Sequence, residues 1–182
     1  IRDIIVIGAG NVGCHLARVL HAASYNIVQV AGRREANVKK LAEDIGAMHT
    51  LEPEKVMKGK DLYIMALPDE VMEEVLPKLK LSDELIVHTS GSVSMDILEP
   101  YSENYGVFYP LQTFSKDREI NIREVPFLVE ANRIDNEDLL VDLGNHLSDR
   151  VMLVDSVRRQ YIHIAAVFAS NFSNHMYDIA RS

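Results

Sequence analysis

Short apolar runs alternate with amphipathic helical patterns through most of the chain. Residues 4–7 form a continuous apolar run, as expected of a strand that is buried on both faces. Apolar side chains then recur at helical spacing between residues 12 and 23, a second strand follows at residues 27–31, and a second helical pattern ends at Gly46. This alternation predicts βαβ units and therefore an α/β fold with a doubly wound, mostly parallel sheet.

The alternation continues to residue 154. The predicted strands cover residues 47–50, 62–67, 85–88, 107–109, 126–131 and 150–154. A helix with Asp69 as its N-cap is expected to carry Val71, Val75 and Leu79, with Pro77 shortening or kinking its end. Another helix carries leucines at 139, 140, 143 and 147. The polar stretch of residues 115–123 is predicted to be a loop. Residues 1–154 therefore form one predicted domain, a Rossmann domain with added strands.

A long helical pattern begins at Asp155 and runs to the last residue, with no Gly, Asn or Pro to end it. Residues 155–182 are therefore predicted to be one long helix, the start of a further unit that continues beyond the sequence. The absence of an initiating Met likewise leads us to expect further residues before Ile1. One stripe of this helix is expected to be mostly core; it consists of Tyr161, Ile164, Phe168, Phe172 and His175.

A glycine-rich loop connects the first strand to the first helix. Residues 8–13 read Gly-Ala-Gly-Asn-Val-Gly, the G-x-G-x-x-G pattern of dinucleotide-binding loops. The first glycine permits a tight turn, the second lets a pyrophosphate approach the backbone, and the third lets the helix pack closely on the strand. We therefore expect the cofactor to be held by Gly8, Gly10, Asn11, Val12 and Gly13. The alternative is a glycine-rich turn that binds nothing.

The end of the second strand bears on which dinucleotide is bound. A site for NAD(H) usually has Asp or Glu there for the ribose 2′-hydroxyl, whereas this chain has Gly32, Arg33 and Arg34. Two guanidiniums can hold a 2′-phosphate with charge-assisted hydrogen bonds. We therefore predict NADP(H) as the cofactor. The alternative is that both arginines are solvated and that Glu35 pairs with one of them.

Three further strand ends are expected at the same crevice, because ligands of open α/β sheets bind beyond the carboxyl ends of the strands. Backbone at residues 66–68 would flank the nicotinamide ribose, and hydroxyls at residues 89 and 90 would lie beside the nicotinamide. Ser90 and Gln112 are also candidates for substrate contact. The alternatives are that Ser90 caps a helix beginning near Val93 and that His88 is a core histidine. The cofactor contacts predicted here are Ala66, Leu67, Pro68, Thr89 and Ser90.

His163 and Asn171 lie two helical turns apart on the C-terminal helix, close enough in angle to border one cleft. An imidazole at such a position can give or take a proton during hydride transfer to a C=O or C=N group. The spacing of His163 and His175 does not fit the i, i+4 pair that binds a metal on a helix, so no metal site is predicted.

Composition excludes several classes of protein. The net charge is −8, and the chain has no basic run of the kind that neutralises nucleic-acid phosphates. No apolar run approaches the ~20 residues of a spanning helix, so no membrane association is predicted. Cys14 is the one cysteine, so a disulfide within the chain is impossible, and a reducing, cytoplasmic location is expected. Cys14 itself is interpreted as a packing residue, with a reactive thiol as the alternative.

These motifs together resemble the 6-phosphogluconate dehydrogenase-like superfamily, which includes pyrroline-5-carboxylate reductases and deazaflavin-dependent NADP reductases. Within it, the chain is most similar to a bacterial group assigned as NADP oxidoreductases, with a Rossmann domain and a helical domain of unknown function. The glycine loop and the arginine pair carry this resemblance, as do residues 88–91, 110–114, 163–166 and 169–172.

The resemblance implies an all-helical C-terminal domain that commonly forms a homodimer interface. Dehydrogenases of the superfamily often use a Lys with a nearby Asn on the first long helix, but residues 155–182 contain no Lys. His163 and Asn171 occupy the comparable region. The group tends to have His where this chain has Tyr109, so no proton donor is predicted at Tyr109.

The sequence therefore predicts an NADP(H)-dependent oxidoreductase that transfers hydride between the nicotinamide and a small substrate or a second cofactor. The residues expected to contact substrate or to transfer a proton are His163, Asn171, Ser90 and Gln112. The alternative is a non-catalytic NADP(H)-binding redox regulator. A Rossmann methyltransferase is disfavoured, because the arginine pair and the complete dinucleotide motif would serve no purpose there.

Overall fold

The chain folds around one eight-stranded sheet. A computed structural model describes residues 1–115 and 120–181. For residues 171–175, 177, 178, 180 and 181 it describes the backbone only. The strands are β1 Asp3–Ile7, β2 Asn26–Ala31, β3 Met48–Thr50, β4 Leu62–Met65, β5 Leu85–His88, β6 Tyr105–Pro110, β7 Phe127–Ala131 and β8 Val151–Leu153. The helices are α1 Asn11–Ala22, α2 Glu35–Ile45, α3 Asp69–Leu79, α4 Ile134–Leu147 and α5 Ser156–Arg181. Short 3₁₀ helices cover Pro53–Lys55, Met95–Leu98 and Ile122–Glu124.

The sheet has the strand order β3-β2-β1-β4-β5-β6-β7-β8. Strands β1 to β6 are parallel, β7 is antiparallel to β6, and β8 is parallel to β7. The order reverses at β1, whose two neighbours are β2 and β4, so the crevice expected in a doubly wound fold lies beyond β1. The predicted Rossmann-type α/β fold with added strands is confirmed.

Both faces of the sheet are covered, which explains why the central strands consist of continuous apolar runs. Side chains of one face pack with α1, α2 and α4, and those of the other face pack with α3 and the 3₁₀ helix at Met95–Leu98. Ile4 and Ile5, which are adjacent in β1, point to these two different cores and are both fully buried. The core thereby holds the carboxyl ends of β1, β4 and β5 in one row.

Two predicted helix starts are wrong. The N-cap of α3 is Pro68 and not Asp69, and the Asp69 carboxylate instead accepts a hydrogen bond from Ser92 at 2.7 Å. No helix begins near Val93. The next helical turn is the 3₁₀ helix at Met95–Leu98, and its N-cap is Ser94, whose side chain accepts from the backbone N–H of Asp96.

The expectation that the long stripe of α5 is core is also wrong for the side chains that the structure describes. Tyr161, Ile164 and Phe168 are 71%, 63% and 68% exposed, while the side chains of Phe172 and His175 lie outside the described residues. The reason is that a different, polar face of α5 packs on the rest of the chain, which turns this stripe outward. Among the helices that the structure describes, none is long and apolar enough to cross a membrane.

The predicted loop at residues 115–123 contains the 3₁₀ helix Ile122–Glu124, and residues 116–119 lie outside the described part of the chain.

Candidate functional site

The glycine loop has the geometry that each of two glycines requires. Gly8 has a φ of +113°, and a Cβ there would overlap with the carbonyl oxygen of Ala66. A Cβ on Gly13 would overlap with the carbonyl oxygen of Gly8. Both positions therefore exclude larger residues on account of the protein's own backbone.

Gly10 is different, because the protein itself does not require a glycine there. Its φ of −84° and ψ of −169° suit any residue, and a Cβ would meet no atom of the described residues within 4 Å. The first turn of α1, which follows directly, contains no acidic side chain. Its backbone N–H groups, at Asn11, Val12 and Gly13, have no intrahelical partners and point toward the open side of Gly10. This bare, electropositive surface fits a pyrophosphate.

Arg33 and Arg34 lie on the same crevice as the glycine loop. This crevice has a volume of about 220 Å³ and is lined by Gly8, Gly10, Gly32, Arg33, Arg34, Asn37, Leu67 and Pro68, among others. Both guanidiniums belong to exposed residues, and neither forms an ion pair within the described residues. The Glu35 carboxylate binds Lys39 at 2.7 Å instead. The arginine pair is therefore available to a phosphate.

A second crevice of about 240 Å³ adjoins the first, and Gly32, Arg33, Leu67 and Val71 line both. Its other walls are largely apolar and include Ile7, Leu51, Pro53 and Val75. An apolar slot beside a phosphate-binding arginine suits a flat aromatic group such as adenine.

Backbone hydrogen bonds hold the strand ends together. The N–H of Ala66 donates to the carbonyl of Ile7 at 2.7 Å, and the N–H of Thr89 donates to that of Met65 at 3.2 Å. Ala66, Leu67 and Pro68, which the sequence proposed as cofactor contacts, line the glycine-loop crevice. Thr89 is 9% exposed, and its hydroxyl donates to the carbonyl of Met65.

His88 is a buried histidine with partners on both ring nitrogens. Nε2 lies 3.3 Å from the carbonyl oxygen of Ser94, and Nδ1 accepts from the backbone N–H of Ser90 at 3.1 Å. Burial, reinforced by the charge of Arg159, lowers the pKa of His88 to about 4. The imidazole is therefore neutral at ordinary pH, and its contacts match the core histidine that the sequence left as an alternative.

Ser90 shapes the loop that follows β5. Its hydroxyl oxygen accepts from the backbone N–H groups of Ser92 and Val93 at 3.1 and 3.2 Å, and it lies 3.1 Å from the Ser92 hydroxyl. These bonds stabilise a turn and leave less of the hydroxyl for a ligand. The amide of Asn11 is similarly occupied, because it donates to the carbonyl oxygen of Phe114 at 3.0 Å.

A separate crevice of about 270 Å³ lies where β6 ends against α5. Its lining includes Gln112 and His163, which the sequence predicted, together with Tyr109, Leu111, Thr113, Ala166, Val167 and Ser170. The Gln112 side-chain oxygen accepts from the backbone N–H of Thr113 at 2.9 Å. The backbone of Asn171 belongs to α5, but its side chain lies outside the described residues.

Tyr109 and His163 form a hydrogen-bonded pair at this crevice, with 2.8 Å between the phenol oxygen and Nδ1. Gly91 lies directly against the pair, and a Cβ there would overlap with the His163 ring and with the Tyr109 ring. Burial raises the pKa of Tyr109, and the charge of Arg159 opposes that rise. The sequence did not predict a functional role for Tyr109.

A buried arginine anchors this end of α5. Arg159 is fully buried and binds the Glu130 carboxylate of β7 at 2.6 Å, while its guanidinium also donates to the carbonyl of Val93 and to Ser156. Its Nε has no hydrogen-bond partner in the part of the chain that the structure describes. The next residue of α5, Gln160, donates to the carbonyl of Ser92 at 2.8 Å.

These anchoring residues were missed in the sequence. A signal for them exists, because Ser156, Arg159 and His163 recur at i, i+3 and i+7 and therefore share a face of α5. That face holds the helix against the loop after β5 and places His163 at the crevice.

The fold and its glycine-loop crevice define the class of dinucleotide-binding α/β proteins. Two family models match the chain: "NADP oxidoreductase coenzyme F420-dependent" over residues 3–91, and the "Domain of unknown function (DUF2520)" over residues 125–182. The crystal structure of "putative NADP oxidoreductase BF3122" from Bacteroides fragilis is 40% identical, with a TM-score of 0.94 over 98% of this chain and 70% of that one. The chain belongs to this family of NAD(P)-dependent oxidoreductases, and the predicted resemblance is confirmed.

Two more distant structures share the fold. Protein TM1727 from Thermotoga maritima is 20% identical, with a TM-score of 0.78 over 98% of this chain and 68% of that one. An imine reductase from Myxococcus stipitatus in complex with NADP⁺ is 17% identical, with a TM-score of 0.75 over 96% of this chain and 63% of that one. No curated protein matches the chain.

Proposed function

We propose that the protein binds NADP(H) and uses it to reduce a C=O or C=N group of a small substrate, or to exchange hydride with a second cofactor. The observation that carries this proposal is the arginine pair. Arg33 and Arg34 form no salt bridge among the described residues, although the charge of Arg33 acts on the Glu74 carboxylate, and they border the crevice whose floor is the open backbone at Gly10. The complex of a distant imine reductase with NADP⁺ also supports this choice of cofactor.

Each part of the cofactor has a matching surface. The α1 N-terminus and the backbone from Gly8 to Gly13 would hold the pyrophosphate, and Arg33 with Arg34 would hold the 2′-phosphate. The largely apolar slot beside Arg33 would take the adenine. Ala66, Leu67 and Pro68 would form the wall toward the nicotinamide end, with Thr89 and Ser90 beyond them.

The crevice at His163 would hold the substrate. Bound NADPH would supply a hydride, so the protein has to supply one proton and a fixed geometry. His163 would exchange that proton with the substrate, and Gln112 would contact the substrate next to it. Asn171 stays a predicted substrate contact on the same helix.

The arrangement of the whole protein also stays a prediction. A domain boundary at residue 154, a homodimer through the C-terminal helices and a cytoplasmic location were expected from the sequence. The exposed stripe at Tyr161, Ile164 and Phe168 is compatible with a partner surface on α5.

Titration of the full-length protein with NADPH and with NADH tests the proposed cofactor. The wild type should prefer NADPH, and Arg33→Ala/Arg34→Ala should weaken NADPH binding about 100-fold, because roughly 1.4 kcal/mol corresponds to each factor of ten and charge-assisted bonds contribute ~1.5–3 kcal/mol each. NADH binding should change little, since NADH has no 2′-phosphate.

A matched control removes two other exposed arginines, Arg2 and Arg133, which lie at the opposite edge of the sheet. Arg2→Ala/Arg133→Ala changes the net charge equally and should leave the preference for NADPH intact. Equal binding of both nucleotides by the wild type would contradict the proposed specificity, and binding of neither would contradict the proposed function. Binding without any reductase activity would favour a redox regulator.

A further inference from the structure

The hydrogen bond from the Tyr109 hydroxyl determines which ring nitrogen of neutral His163 carries the proton. Tyr109 is 9% exposed, and among the described residues its hydroxyl hydrogen-bonds to Nδ1 of His163 alone, at 2.8 Å. A buried phenol that has no other acceptor donates its proton to the partner it has. When His163 is neutral, Nδ1 therefore accepts and the ring proton lies on Nε2.

This arrangement leaves Nε2–H as the group that His163 offers to the crevice. Nε2 has no partner among the described residues, while His163 and Tyr109 both line the crevice. Gly91 packs against both rings and leaves no room for a side chain between them. Gly91 therefore packs against the Tyr109–His163 pair without lining the crevice.

We infer that Tyr109 is the proton source of the reduction and that His163 relays its proton. This inference rests on the proposed function and identifies a residue that the sequence did not predict. As the acceptor oxygen or nitrogen of the substrate takes the proton of Nε2, Nδ1 takes the proton of the phenol. One O–H and one N–H bond break, one N–H bond forms on Nδ1, and one bond to hydrogen forms on the substrate.

The charge balance of this step is supported by Arg159. Proton transfer leaves a phenolate at Tyr109, and the buried guanidinium of Arg159 lies close enough for its positive charge to lower the pKa of that phenol against the effect of burial. Glu130 holds Arg159 in place at 2.6 Å. After the product leaves, water returns a proton to Nε2 and Nδ1 returns one to the phenolate. Tyr109 acts through His163 and is thus a positioning residue.

Nitrogen-15 NMR of the full-length protein with labelled histidines tests the inference without nucleotide or substrate. Spectra are recorded above the ordinary pKa of histidine (~6.5), and His163→Gln identifies the signals of His163 among the seven histidines. We expect a protonated Nε2 and an unprotonated, hydrogen-bonded Nδ1. Tyr109→Phe should shift the Nδ1 signal toward that of a free nitrogen.

The control is Tyr105→Phe, which removes a hydroxyl from the same strand at the same exposed fraction of 9% and should leave the His163 signals unchanged. If Tyr109→Phe fails to fold, Gly91→Ala provides a second variant, because its Cβ displaces the His163 ring and should also remove the Nδ1 signature. A proton on Nδ1 in the wild type would overturn the inference. An Nδ1 signal that is the same in wild type and in a folded Tyr109 or Gly91 variant would overturn it as well. Neither result depends on NADPH binding, so the proposed function would still stand.

Discussion

The cofactor crevice and the His163 crevice lie along the same edge of the sheet but are built in different ways. The cofactor crevice uses backbone: a tight turn at Gly8, a close contact at Gly13 and free N–H groups at the start of α1. The His163 crevice uses side chains from distant parts of the chain. Tyr109 and His163 are 54 residues apart, and Arg159 and Val93 are 66 apart. Short-range spacing therefore specifies the first crevice, whereas the second exists only once α5 docks.

The largest loss in the free energy of unfolding should come from replacing Arg159, which anchors α5. Arg159→Met leaves Glu130 buried without its cation, and removal of one partner from a buried pair costs about 3–5 kcal/mol. Urea unfolding should show this loss in the free energy of unfolding.

The double variant Arg159→Met/Glu130→Leu separates charge from packing. It removes both charges and should recover most of the lost stability, since a packed apolar pair often replaces a buried ion pair without loss. A cost below about 1 kcal/mol for Arg159→Met alone would contradict the role of Arg159 as an anchor.

A smaller loss of stability should follow from the titration of His88, the fully buried residue at the end of β5. Because its pKa is about 4 in the folded protein and about 6.5 when unfolded, the unfolded state binds the additional proton between these values. The contribution of His88 is complete above pH ~6.5 and is lost as the pH falls toward ~4, which amounts to about 2 kcal/mol between pH ~7.5 and pH ~5. Urea unfolding at both pH values measures it.

His88→Gln is the comparison for this pH dependence. The variant cannot titrate there, so its free energy of unfolding should fall about 2 kcal/mol less over the same range. Parallel pH profiles for wild type and variant would show that His88 is not held neutral by the fold.

The smallest effect, a change in NADPH affinity, should come from replacing Glu35, which lies beside the arginine pair. Glu35→Gln removes a negative charge near the proposed 2′-phosphate site and should tighten NADPH binding a few-fold at low salt, with less gain at high salt. Loss of the exposed pair with Lys39 should leave the free energy of unfolding almost unchanged, because solvent screens both charges. An NADPH affinity that is unchanged at low salt would indicate that the phosphate lies elsewhere.

The contrast between local spacing and contacts of distant elements also explains how much of the fold the sequence could predict. Alternation of apolar runs predicted all eight strands and the five helices of the described chain, since burial on two faces leaves a continuous apolar run. The antiparallel direction of β7 was not predicted, because it follows from a connection that returns along the edge of the sheet. The exposure of Tyr161 and Phe168 was missed, because periodicity identifies a stripe but not the surface that covers it.

The pairing of Tyr109 with His163 was not predictable from spacing. The sequence placed His163 on a cleft correctly and assigned nothing to Tyr109, since their contact depends on the angle at which α5 crosses the end of β6. Arg159 fixes that position through two partners outside α5, the Glu130 carboxylate of β7 and the carbonyl of Val93. Motifs of one loop are therefore visible in a single sequence, while contacts between elements need the fold.

The most direct test of the account compares Gly10→Ala with Gly13→Ala, each measured by thermal unfolding and by NADPH titration. A Cβ at Gly10 meets no atom of the described part of the chain within 4 Å, so Gly10→Ala should leave the free energy of unfolding within ~1 kcal/mol of wild type while it weakens NADPH binding tenfold or more. Gly13→Ala should destabilise the fold itself by about 1–3 kcal/mol, because its Cβ overlaps with the Gly8 carbonyl. Unchanged NADPH binding by a stable Gly10→Ala would contradict the claim that this open backbone is the pyrophosphate site.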